Sequence, residues 1–214
     1  MSRERLIVAA LAVLGLGLVG FQYLGATRPV PASESASESA AAAAKRDAPG
    51  PYLVIEIAGE ANGTVRIDLD EEAAPRHAER LITLARRGDY DNVVFHRVIA
   101  GFMAQTGDVR HGKLGADLRL AGTGGSDLPD LKAEFSELPF VRGVVGMARA
   151  RNPDSANSQF FIMFAPAPHL DGKYTVVGRV VEGMQVVDAI KRGTGPNGAV
   201  TGAPDVMTRV RVEQ

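Results

Sequence analysis

Arg97 and Gln105 are the side chains of this sequence best suited to act on a polar group held in an apolar setting. They lie in the run Phe95-His96-Arg97-Val98-Ile99-Ala100-Gly101-Phe102-Met103-Ala104-Gln105-Thr106-Gly107-Asp108. That strip sets one cation and one amide among large apolar residues, which makes a greasy pocket with a hydrogen-bonding edge. Fixed donors at the rim of a pocket that excludes water can stabilise a lone pair or a charge that develops during a reaction. Two further polar-apolar runs follow, Ser155-Ala156-Asn157-Ser158-Gln159-Phe160-Phe161-Ile162 and His169-Leu170-Asp171-Gly172-Lys173-Tyr174.

Other chemistries fit less well. His96, Asp108 and His111 are of metal-ligating types, but their spacing matches no ligand motif, so His96 reads as a satisfied structural residue and His111 as a loop residue. No metal or cofactor is expected. Ser155 and Ser158 lack the strand-turn-helix sequence that exposes a nucleophilic serine, which argues against a hydrolase. Gly15-Leu16-Gly17-Leu18-Val19-Gly20 fits a dinucleotide fingerprint by letter, yet it has neither a preceding strand nor a placed acidic partner. Gly122-Thr123-Gly124-Gly125-Ser126 has no following lysine and reads as a tight loop. The 214 residues contain no cysteine, which excludes disulfides, thiolate metal sites and thiol nucleophiles. A formal charge of −1 with no long basic run gives no footprint for nucleic acid.

Positioning such a strip requires a sheet. Tyr52 to Ile57 and Thr64 to Leu69 read as strands, the second alternating Val65, Ile67, Leu69 with Arg66, Asp68, Asp70, and the two form a hairpin around Asn62-Gly63. Ala74, Ala78, Leu81 and Ala85 fall at helical spacing, with Pro75 in the first turn and Gly88 as the stop. Further strands are expected at Val93 to Ile99, Met103 to Thr106, Val144 to Ala148, Gln159 to Phe164, Thr175 to Val181 and Val206 to Val212. A second helix fits Met184 to Arg192, ended by Gly193. Many short strands with only two helices imply an antiparallel sheet closed on itself.

Two segments precede this domain. After Arg3 and Arg5, Leu6 to Gly25 is uncharged and almost wholly apolar, about the roughly 20 residues that cross a bilayer as a helix. Residues 1–25 are read as a signal anchor, with a cleaved signal peptide as the alternative. The two arginines would keep the N-terminus in the cytoplasm and send the rest across, facing the periplasm from the inner membrane, or free in the periplasm if cleaved. Residues 26–51, rich in Ala, Ser, Glu and Pro, are read as a flexible linker. The folded domain is residues 52–214.

The three runs above, in that order, resemble the signature of cyclophilin-type peptidyl-prolyl cis/trans isomerases, particularly bacterial members, and the resemblance spans Tyr52 to Val212. It implies a mainly β fold, an eight-stranded antiparallel closed barrel capped by two α-helices. It implies X-Pro isomerisation of proline-containing polypeptides without a covalent intermediate, with Arg97 and Gln105 as catalytic residues and a monomer as the expected state. Phe102, Met103, Phe161 and Leu170 would hold the proline ring, and Arg149, His169 and Tyr174 would complete the substrate groove. Gln105 would either fix the peptide carbonyl or orient Arg97. A rival reading keeps the pocket but makes the domain a proline-binding chaperone or assembly module with little turnover. The sequence departs from the familiar pattern at Ala100 (often Pro), Arg149 (often a small amide), His169 (Trp in many eukaryotic members, including those sensitive to cyclosporin) and Tyr174 (His in those members). An extra segment, Val109 to Ala121, is expected to rim the groove.

Overall fold

Leu53, Ile55 and Ile57 of β1 (Tyr52–Ala58) and Val65, Ile67 and Leu69 of β2 (Gly63–Leu69) turn toward one interior, because side chains two apart on a strand share a face. The computed structural model describes residues 50–214. The apolar run Leu6 to Gly25 and the linker up to residue 49 lie outside the described residues. Among the described residues no helix is long and apolar enough to cross a membrane.

The remaining elements are α1 (Pro75–Arg86), β3 (Val93–Val94), β4 (Arg97–Ile99), β5 (Met103–Thr106), β6 (Val144–Met147), β7 (Phe160–Met163), β8 (Val176–Glu182), α2 (Met184–Ala189) and β9 (Val206–Glu213). The strands form one nine-stranded antiparallel sheet in the order β3-β9-β1-β2-β8-β6-β7-β5-β4, curled into a half-barrel. This corrects the closed eight-stranded barrel. Val93 to Ile99 is not one strand: its halves are the two edges of the sheet, with Phe95 and His96 between them. The Val94 N–H donates to the Gly112 carbonyl and the Phe95 N–H to that of Asp205, while the His96 carbonyl accepts from Val200. These bonds take the chain out of the ladder between the two edges, so the chain itself joins them.

Two more expectations are corrected. The β1–β2 hairpin exists, but Gly63 already pairs with Ile57, so the connection is Gly59 to Asn62 and not an Asn-Gly turn. Helix α2 stops at Ala189, three residues before Arg192. There Ile190 leaves helical geometry to be buried, and the Lys191 N–H donates to the Asp205 carboxylate at 2.6 Å. The same carboxylate accepts from Ala61 N–H at 2.8 Å, tying the first hairpin to the end of α2. Helix α1 follows expectation, with Pro75 in its first turn and Gly88 in the left-handed region (φ 73) just beyond its end.

The sheet separates two cores. Val98, Ala104, Val145 and Ile162 look inward to the main core. On the opposite face of the same strands, Met103, Val144, Phe161 and Met163 join Leu138, Phe140, Ala167, Leu170 and Val176 in a second apolar cluster. Gly146 of β6 must lack a side chain here, since a Cβ would stand 2.5 Å from the Phe161 ring and 2.6 Å from that of Phe140. This second cluster is the floor of the candidate site.

Candidate active site

Strand register places the chemistry. Arg97 pairs with Gln105 and Ile99 with Met103, and across the next ladder Gln105 pairs with Phe161 and Met103 with Met163. Residues directly opposite in a ladder share a face, so Arg97, Gln105, Met103 and Phe161 all project over the second apolar cluster. The turn that returns β4 into β5 is closed by the Phe102 N–H to the Ile99 carbonyl (3.0 Å), with Gly101 at φ 69 in its third position. Ala100 holds the second position, which proline also suits. This turn puts Phe102 at the cavity edge, where its ring lies 5.6 Å from that of His169.

The result is a cavity of about 330 Å³ lined by Arg97, Phe102, Met103, Gln105, Ala148, Arg149, Phe161, His169, Leu170 and Tyr174. All nine residues singled out from the sequence line this one space. Leu170 is seated by a 3₁₀ turn, Pro168–Leu170, while His169 on the same turn stays exposed. The Arg149 guanidinium lies 4.3 Å over the Tyr174 ring, and the Tyr174 ring meets Phe161 edge-on at 6.0 Å.

The Arg97 guanidinium is held on several sides. Its Nη1 donates to Gln105 Oε1 at 3.1 Å and approaches Met103 Sδ at 3.9 Å, its Nε donates to the Asn197 carbonyl at 3.0 Å, and its Nη2 to Asn197 Oδ1 at 3.3 Å. A guanidinium has five N–H bonds, so one on Nη2 is left without a protein acceptor among the described residues. Burial draws the Arg97 pKa below its ordinary value, the phenol of Tyr174 opposing it. The group still stays charged at neutral pH. Next to it, burial lowers His96 to a pKa of about 4, with Asp108 opposing the shift, so the imidazole adds no second positive charge. The Val94 backbone and the Gln159 side chain both act on the His96 ring, although neither ring nitrogen makes a well-formed hydrogen bond among the described residues.

Gln105 orients Arg97 and is itself oriented. Its Nε2 donates to Gln159 Oε1 at 3.0 Å, and Gln159 Nε2 donates to the Gly124 carbonyl at 2.7 Å. This amide relay leads into a second, more polar cavity of about 580 Å³, which shares Gln105, Ala148 and Arg149 with the first and reaches Arg110, the Gly122 to Ser126 loop, Asp130 and Asn157. Asp108 shapes its rim. One carboxylate oxygen accepts from the N–H groups of Arg110 and His111, the other from those of Gly122 and Gly124. Burial alone would raise the Asp108 pKa, but these four donors outweigh it and hold the group below its usual value. The side chain proposed on paper as a metal ligand is thus occupied as a loop clamp.

Gln159 and Asn197 were not picked out from the sequence. Gln159 sits within a quoted motif, and its i, i+2 relation to Phe161 on one face was the available signal. Asn197 had none.

Of the segment Val109 to Ala121, Arg110 lines the polar cavity, and neither of these two cavities takes another residue from it. The Gly112 carbonyl accepts from Val94, Lys113 bridges to Val93, and Lys113 Nζ donates to the carbonyls of Asp89 and Asp91 at 2.6 Å each. Residues 110–113 therefore extend the β3 edge, whereas Leu114 and Leu120 beyond them are exposed. Excising residues 114–120 and closing the gap with glycines is expected to keep the fold, since loop length changes closure entropy only slowly. It should also leave preference among peptides differing before proline unchanged. A peptide panel checks this, and altered ratios would show that the segment reaches the groove.

Residues 52–212 match the family described as cyclophilin type peptidyl-prolyl cis-trans isomerase/CLD. A Brucella suis biovar 1 (strain 1330) protein named "Probable peptidyl-prolyl cis-trans isomerase" is 56% identical over 155 residues, covering 71% of this chain and 79% of the relative. Among solved structures, cyclophilin AquaCyp293 from Hirschia baltica is similar with a TM-score of 0.61 at 27% identity, over 76% of this chain and 74% of that one. A Cryptosporidium parvum cyclophilin type isomerase, crystallised in the presence of the dipeptide Ala-Pro, shares the fold with a TM-score of 0.63 at 23% identity, over 76% and 99% of the two chains. The family match over residues 52–212, with more than half of 155 aligned residues identical to a relative covered over 79% of its length, gives the family: this chain belongs to the cyclophilin-type peptidyl-prolyl cis-trans isomerases.

Proposed function

We propose that Arg97 is the group that favours the twisted X-Pro bond, that Phe102, Met103, Phe161 and Leu170 hold the proline ring, and that the isomerase works on exported polypeptides. Rotation about X-Pro is slow because amide resonance must be broken, with a barrier of roughly 18–20 kcal/mol. No covalent bond is made or cut, so the reaction needs no nucleophile. In the twisted state the prolyl nitrogen becomes pyramidal and regains a localised lone pair. The uncommitted Nη2 hydrogen of Arg97 donates to that nitrogen, or to the adjacent prolyl carbonyl, more strongly than to either planar form.

Magnitudes limit what the arginine does alone. Accelerating the exchange about a hundred-thousand-fold needs roughly 7 kcal/mol, whereas one charge-assisted hydrogen bond contributes about 1.5–3 kcal/mol. The balance comes from gripping the ring while the preceding residue rotates, and from the bound peptide covering the half-open rim so that water is kept off the guanidinium. The observation that carries this reading is the shared 330 Å³ cavity, with the Arg97 guanidinium at its rim and Met103, Phe161 and Leu170 buried in its floor. A protease-coupled proline-peptide assay tests it. Binding of the peptide without faster exchange would favour a chaperone role for this chain.

Export rests on the sequence of residues 1–25, where Arg3 and Arg5 precede the apolar run Leu6 to Gly25. Fusing alkaline phosphatase or a cytoplasm-restricted fluorescent protein to the C-terminus is expected to give signal from the phosphatase alone. Fluorescence without phosphatase activity would reject export, and with it the assignment to substrates beyond the inner membrane.

A further inference from the structure

The outer edge of β4, the strand that carries Arg97, is covered by a loop far away in sequence. The Gly193 N–H donates to the Val98 carbonyl at 2.9 Å, the Val200 N–H donates to the His96 carbonyl at 3.0 Å, and Ala199 bridges to Arg97. At the apex of this loop is a 3₁₀ turn, Pro196–Gly198, in which Asn197 takes a left-handed conformation (φ 55). That conformation aims two acceptors of one residue at the guanidinium, the carbonyl oxygen at Nε (3.0 Å) and Oδ1 at Nη2 (3.3 Å). Gln105 takes Nη1 from the other side. The loop is braced against β4, because a Cβ on Gly198 would collide with the Ile99 side chain.

We propose that Asn197 is a positioning residue of the isomerase, fixing the plane of the Arg97 guanidinium so that its remaining Nη2 hydrogen points into the proline cavity. The inference rests on the reading of Arg97 as the group that meets the substrate. An arginine side chain has many rotamers, and a donor helps a transition state most when it is already aimed before the reaction begins. Asparagine suits the position for two reasons at once: it tolerates the left-handed region better than most residues, and its amide oxygen supplies a side-chain acceptor. Asn197 is itself exposed and belongs to neither apolar core. Its bonds to Arg97 therefore serve that side chain rather than the packing of the domain.

The test uses the full chain and four forms: unmodified, Asn197→Gly, Asn197→Asp and Arg97→Ala, with the Arg97→Ala/Asn197→Gly double variant closing a cycle. Glycine keeps the left-handed backbone and the carbonyl acceptor and removes only Oδ1. Asn197→Gly is expected to lower kcat about three- to tenfold with KM changed by less than about twofold, as for an interaction that matters in the transition state. Asn197→Asp, which keeps an acceptor and tolerates the same conformation, should return kcat to within about twofold of the unmodified protein. In the Arg97→Ala background, Asn197→Gly should cost nothing further. Nitrogen relaxation at Arg97 Nε should report a more mobile side chain in Asn197→Gly alone. Unchanged kcat in Asn197→Gly alongside a clear loss in Arg97→Ala would overturn the positioning role while leaving Arg97 in place. An equal loss from Asn197→Gly in both backgrounds would show a structural effect of the loop and overturn it as well. Full activity of Arg97→Ala would remove the reading of Arg97, and the role of Asn197 with it.

Discussion

Arg97→Ala is expected to reduce kcat/KM on an X-Pro peptide by at least about tenfold, the loss of one transition-state hydrogen bond of about 1.4 kcal/mol or more. Truncation removes the cation and also leaves the Gln105 and Asn197 acceptors unpaired. Those acceptors sit at a half-open rim where water can reach them, so stability should change little. Arg97 faces away from the main core, and no residue of that core touches its side chain through an ion pair or a hydrogen bond among the described residues. A protease-coupled assay and a thermal melt on the same preparation separate the two effects. Arg97→Lys should recover only part of the activity, because an ammonium cannot be held by Gln105 and Asn197 in a planar fork while presenting a further donor. Equal turnover of the unmodified and alanine forms would sink the assignment of Arg97.

Cyclosporin should bind this protein about ten- to a hundredfold more weakly than it binds relatives that carry tryptophan where His169 stands. In those relatives the resemblance implies an indole N–H that donates to the drug and a ring that covers it. The His169 imidazole occupies that wall of the cavity, tilted 31° against the Phe102 ring at 5.6 Å. It offers a smaller, partly hydrated surface with its donor elsewhere. A neutral hydrogen bond contributes about 0.5–1.5 kcal/mol, and the missing ring area, at about 25 cal/mol per Å², adds on the order of 1 kcal/mol. Those terms together give the stated range. Proline-peptide turnover should be kept, since Arg97, Gln105 and the Met103, Phe161 and Leu170 floor are untouched by the difference. His169→Trp should recover much of the drug affinity. Titrating both forms decides it, and nanomolar binding by the unmodified protein would show that position 169 does not control sensitivity here.

What could be read from the chain alone is what depends on local order. The two-residue period of Val65, Ile67 and Leu69 is a property of any half-buried strand, and Pro75 and Gly88 mark α1 through their own backbone geometry. Arg97, Phe102, Met103 and Gln105 lie close enough in sequence that one hairpin turn brings them to a single face, and the residues of the later motifs were legible by likeness to a family. What depended on the fold was everything set by contacts between distant segments. Whether Val93 to Ile99 is one strand or two turns on which partners claim its backbone groups, and those partners, Gly112, Asp205 and Val200, carry no mark of it in their own neighbourhoods. Helix α2 loses its last turn because Asp205 captures the Lys191 N–H and the interior captures Ile190. Asn197 meets Arg97 across 100 positions of sequence, through a loop whose Gly193 and Val200 backbone groups bond to β4 and the residue before it. Local spacing encodes which face a side chain takes; which distant acceptor satisfies a given donor is settled by the global competition to leave no buried polar group unpaired, and that competition has no local signature.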